Sequence, residues 1–98
     1  MADWGEVEVY YEMIDELKRF AGQISQACEV MDAAASTCQD TMEDDTASQK
    51  AASNIKKSEK QYLEAARMAI ALAKELDEEA REIINYLKLQ DQMDGGSE

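Results

Sequence analysis

The sequence predicts an all-α fold, a long antiparallel helical hairpin, and three observations carry that reading. Proline is absent from the 98 residues and glycine occurs only four times. Apolar residues recur at alternating spacings of three and four through both halves of the chain, the signature of one face of a helix. A single short polar stretch separates the two periodic segments. Such a composition opposes β-sandwiches, collagen-like repeats and disorder.

The first helix opens on a cap. Asp3 stands three residues before Glu6, a spacing at which each side chain can serve the other's free backbone N–H. The 3-4 series then runs Val7, Tyr10, Ile14, Leu17, Ala21, Ile24, Cys28, Met31, Ala35, Cys38, Met42, with no charged member. Met13, Phe20, Ala27 and Ala34 widen the stripe beyond a bare coiled-coil seam. The pattern predicts one helix over 4–42. Gly22 within it costs about 1 kcal/mol relative to alanine, and leaves room for another helix to come close.

The series stops at Glu43-Asp44-Asp45-Thr46. Three acids suit the positive N-terminal end of a helix dipole and not the C-terminal end, so 43–46 is read as the turn. Thr46 with Gln49 repeats the capping spacing, and a second helix is expected over 47–90. Its series is Tyr62, Ala66, Ala69, Ala73, Leu76, Ala80, Ile83, Leu87. Leu63, Ile70 and Ile84 form a second stripe that one partner helix leaves uncovered. The domain is therefore set at 1–92, with 93–98 as a flexible glycine-containing tail.

A short turn makes the two helices pack antiparallel. The uncovered stripe then calls for a further partner, and dimerisation into a four-helix bundle, or pairing with another helical protein, supplies one. The expected association interface is Leu63, Ile70 and Ile84 with Trp4 and Tyr11, which lie off the first seam at the open end of the hairpin and either form a contact hot spot or cap the end of the bundle. Tyr10 belongs to the seam itself.

Acids outnumber bases 22 to 10, a net charge of −12. Residues 3–16 and 75–91, which a hairpin sets side by side, together carry −10 of it. An acidic patch is expected there from Glu12, Asp15 and Glu16 with Glu75, Asp77, Glu78, Glu79 and Glu82. It either keeps a helical protein in solution or offers a platform to a basic protein surface. Lys50, Lys56, Lys57 and Lys60 sit near the turn, where they offset Asp32, Asp40 and the 43–45 acids.

The same residues argue against catalysis. Histidine is absent, removing the commonest general base and metal ligand. The apolar seam holds no carboxylate, so no buried, shifted acid pair is expected, and no cofactor or metal is implied. Cys28 and Cys38 lie ten residues apart, about 15 Å along a helix, too far to bridge within the chain. They read as small core residues, with a bridge between two chains as the alternative. The acidic faces argue against direct nucleic-acid binding and against a membrane surface. No cleavable leader opens the sequence and no apolar run is long enough to span a bilayer, so a cytoplasmic location is expected, export without a leader remaining open.

An acidic helix-turn-helix of this length resembles the small WXG-type proteins of type VII secretion. The resemblance is one of architecture. The chain's Trp4-Gly5 stands at the first helix start and not in the turn; Tyr11-x-x-x-Asp15 lies inside the first helix, and Tyr86 is followed four residues on by Gln90. The resemblance implies a non-enzymatic secretion partner. Together with the apolar excess, the expected function is a protein–protein interaction module, a small assembly factor, chaperone or secretion partner. The alternative is an acidic inhibitor of phage type that blocks a basic groove by imitating nucleic acid.

Overall fold

A computed structural model describes residues 2–41 and 46–96. Two helices make up the fold, α1 (Trp4–Thr41) and α2 (Thr46–Gly96). They lie antiparallel in a rod several times longer than its 15 × 14 Å cross-section. The cap expected at the start of α1 is present, the Glu6 N–H donating to Asp3 Oδ1 at 2.8 Å. The turn assigned to 43–46, and Met42 at the predicted end of the first helix, lie outside the described residues except for Thr46, which begins α2. The second helix does not stop at 90. It continues through residues expected to be tail, as far as Gly96. Tyr86–Met93 contains only residues a helix tolerates and no proline, so nothing ends it before the glycines. Gln90 Nε2 donates to Tyr86 Oη at 2.8 Å, one turn back.

The seam of α1 follows the predicted rhythm at each described position. Val7, Ile14, Ala21, Cys28 and Ala35 are buried, and Tyr10, Leu17, Ile24, Met31 and Cys38 are half-buried. This is a heptad, with the first set at position a and the second at d. On α2 the a positions are Ala52, Glu59, Ala66, Ala73, Ala80 and Leu87, all buried. Ala35 and Ala80 are sealed completely, whereas no large side chain among the described residues is. Alanine at the contact lets the two backbones close, and a rod only two helices thick has no deeper interior to offer.

The predicted second seam needs two corrections. Tyr62 is half exposed, not core, and lies beside Phe20, Ile24 and Ala27 on one flank. One turn earlier the seam is occupied by Glu59, 8% exposed, where no carboxylate was expected. The seam also extends back through Ile55 and Ala52 to Ser48, turns whose small side chains gave only a weak apolar signal.

Candidate interaction surface

Cross-helix contacts fix the register. Tyr10 Oη donates to Glu79 Oε2 at 3.0 Å, Cys28 Sγ lies 4.0 Å from the Glu59 carbonyl, and Lys56 Nζ pairs with Asp32 Oδ1 at 2.5 Å. Residue numbers at one level of the rod therefore sum to about 88. With each heptad lettered from its a position, the Tyr10–Glu79 side is the g flank and the Asp32–Lys56 side is the e flank of an antiparallel pair.

This register brings the five predicted interface residues to one side. Trp4 and Tyr11 are e positions of α1, and Leu63, Ile70 and Ile84 are e positions of α2. Four of the five are exposed, and Ile84 is half-buried. At mid-rod, Leu63 and Ile70 line a groove with Ala21, Gly22 and Ser25, bordered by Lys18 and Arg67. Toward the open end, Trp4 and Tyr11 share a second concavity with Val7 and Glu8.

A second apolar flank was not anticipated as a surface. Met13, Leu17, Leu72 and Leu76 line one groove on the g side, and Phe20, Ile24, Ala27 and Tyr62 line another. Met13, Phe20 and Leu72 are each more than a third exposed. The widening of the stripe by Met13 and Phe20 was legible in the sequence, but the two outer edges of a hairpin part only when a partner helix is in place.

The eight predicted acids do gather at the open end, though not on one face. Asp15 and Asp77 lie on the e side, Glu12 borders the Trp4–Tyr11 concavity, Glu16, Glu75, Glu79 and Glu82 lie on the g side, and Glu78 points away from the seam by register. Seven of them are exposed. Asp77 is half-buried and pairs with Arg81 Nε at 3.0 Å. Hydrogen bonding to the Glu79 carboxylate raises the Tyr10 hydroxyl above its ordinary pKa, since losing that proton would set two anions together.

Near the turn, Asp32, Lys56 and Glu59 form a polar cluster inside the e flank. Glu59 Oε2 lies 3.7 Å from Lys56 Nζ. Burial raises the Glu59 carboxyl above the usual range, and its hydrogen bond to Asp32 adds to the shift. Asp32 is lowered, chiefly by the bond from Lys56 and then by the one from Glu59. Lys56 is raised in turn by Asp32. Among the described residues no buried side-chain nitrogen or oxygen lacks a hydrogen-bond partner. Burial also raises the Cys28 thiol, with Glu59 and Asp32 contributing, which keeps it a poor nucleophile. Both cysteines are free.

Among the described residues no group of three or more Cys, Asp or Glu is placed to hold a metal ion, and no helix is long and apolar enough to cross a membrane. The arrangement defines an all-α hairpin with two apolar flanks. Compared with known families, curated proteins and solved structures, the chain finds no match.

Proposed function

We propose that the chain acts as a non-enzymatic association module, a helical hairpin whose flanks pair with a second copy or with another helical protein. The observation that carries this reading is the apolar surface left outside the seam. Phe20, Ile70 and Leu72 are each 46% exposed and Tyr62 is 50% exposed, all in grooves between the two helices. Contiguous apolar grooves of this kind on a small protein mark interfaces. Helices laid into them complete a bundle through the same knobs-into-holes packing that joins α1 to α2. An assembly factor, a chaperone or a helical secretion partner works in this way.

Sedimentation of the purified chain from micromolar to submillimolar concentration tests the reading. A species of twice the chain mass, or a stable complex with a helical protein from the source cell, is expected. A monomer at every concentration, with no such complex, would overturn it.

A second reading, a decoy that occupies a basic groove, draws on the acids around the open end. It predicts binding that weakens steeply with salt and is abolished by charge reversal at Glu78, Glu79 and Glu82, whereas flank pairing, held chiefly by apolar burial, weakens far less.

A further inference from the structure

The register exposes a charge pattern that the seam alone hides. Position b of α2, immediately outside the e groove, is Ser53 and then Lys60, Arg67, Lys74, Arg81 and Lys88, five bases at strict seven-residue spacing and all exposed. Position b of α1, the opposite rim of that groove, is Glu8, Asp15, Gly22 and Glu29 and then Ser36, also exposed. Arg67 and Gly22 border the mid-rod groove from its two sides, and Glu8 borders the Trp4–Tyr11 concavity, as the lettering requires. The e face thus has an apolar floor, an acidic rim and a basic rim. Over positions b and e it carries six bases and two acids on α2, up to Asp91, and four acids and one base on α1. That is one net positive charge, in a chain whose total is −12.

We infer that the e face is the interface of a homodimer whose twofold axis runs along the rod, so that both open ends lie at the same end of a four-helix bundle. The inference rests on the reading of the chain as an association module and adds the face, the occupant and the direction. Rotation about the rod axis keeps each residue at its level and lays the acidic rim of one copy over the basic rim of the other. Because level partners sum to about 88, Glu8 then meets the second copy's Arg81, Asp15 its Lys74, and Glu29 its Lys60. Gly22 meets Arg67, giving the longest side chain of the row room. Every neighbouring helix pair in the bundle is antiparallel, as within the hairpin.

The alternative, a head-to-tail dimer about an axis across the rod, stacks the acidic rim on itself and the basic rim on itself, which like charges disfavour. The g face is a poor site for a second copy for the same reason. Glu16, Glu75 and Glu82 edge it at the open end, where a copy paired head-to-head would bring acid against acid. Size is adequate too: stable interfaces need roughly 800 Å² per partner, and α1 at 1.5 Å per residue gives a face about 57 Å long on a rod 15 × 14 Å across.

The test is a rim swap in the full chain. Glu8→Lys with Asp15→Lys raises the net charge from −12 to −8, so bulk repulsion falls and non-specific association should strengthen. The inference requires the opposite, a dimer at least tenfold weaker. Lys74→Glu with Arg81→Glu should weaken it similarly, and an equimolar mixture of the two variants should restore a heterodimer. Circular dichroism checks that each variant keeps its helices, as exposed positions should.

Direction is read from a spin label at Lys50→Cys, near the turn, with Cys28→Ala and Cys38→Ala. Head-to-head dimers give a label separation near the bundle width, about 30 Å, and head-to-tail dimers give roughly 60 Å at the helical rise. A parent dimer with the long separation, or a first variant that dimerises as well as the parent or better, refutes the inference and leaves the association module standing. A parent chain that stays monomeric refutes the inference, and it removes the association module as well only if no helical protein from the source cell binds the chain.

Discussion

Ile14 and Ile70 carry the same side chain at two depths, and replacing each with alanine measures how the rod is held together. Ile14 is 4% exposed at an a position, and Ile70 is 46% exposed on the e flank. Truncation removes three methylene-sized groups, each worth about 0.8 kcal/mol when fully buried. At Ile14 that loss is about 2.4 kcal/mol, and a void that a thin rod can partly close brings the cost to about 2.5–3 kcal/mol. At Ile70 only the buried half counts and no void forms, so the cost is about 1.3 kcal/mol or less. A gap of about 1.5 kcal/mol separates the melting temperatures of the two variants by about 6–12 °C in a domain of this size. Urea unfolding followed by circular dichroism, at a concentration dilute enough to keep the chain monomeric, gives both costs. Repeating it at high concentration adds a second contrast. The Ile70→Ala cost should rise as the dimer forms, because the lost contact then includes the partner, while the Ile14→Ala cost stays constant. If Ile70→Ala costs as much as Ile14→Ala in the dilute sample, the assignment of core and flank is wrong.

Two further outcomes follow from single residues. Gly22→Ala should stabilise the hairpin by up to ~1 kcal/mol. A β-carbon at Gly22 meets nothing within 4 Å, so the helix gains propensity without a clash, as a thermal melt would show; a loss of stability would mean that the mid-rod groove is closed. Glu59→Gln should make the protein more stable than the parent at neutral pH. The folded state raises the Glu59 pKa, so its favourable contribution is complete below the unfolded carboxylate range and is lost as pH rises through the folded value. Asp32 works in the other direction, its contribution present above its unfolded value and lost only as pH falls through the lowered one. Melts between pH about 4 and about 8 should show a decline on the alkaline side that the glutamine variant lacks, beyond the decline both share from net charge. Parallel curves for the two proteins would show that Glu59 is not strained by its place in the seam.

What the sequence by itself determined is local and periodic. The rhythm from Val7 to Cys38 depends only on residues three and four apart, so helix, seam and cap were legible, and burial follows that rhythm residue by residue. The stripe of Leu63, Ile70 and Ile84 was legible for the same reason, as was the placement of Trp4 and Tyr11 off the seam. Tertiary structure decided whatever depends on how the second helix is turned against the first. Glu59 can occupy a core position because Asp32, distant in sequence, and Lys56 take up its polar atoms, and no 3-4 count on α2 reveals that. Tyr62 fits the count yet swings outward over Phe20 and Ala27, since a ring that size finds no space between backbones drawn together by alanine. The five bases from Lys60 to Lys88 stand at sevenfold spacing in the sequence, but they become the rim of a groove, facing a row of acids at matching levels, only when the hairpin closes and sets the register. Periodicity reports which side of a helix is apolar; which charges share a level with which depends on the phase between two helices, and contacts such as Tyr10–Glu79 and Asp32–Lys56 set that phase.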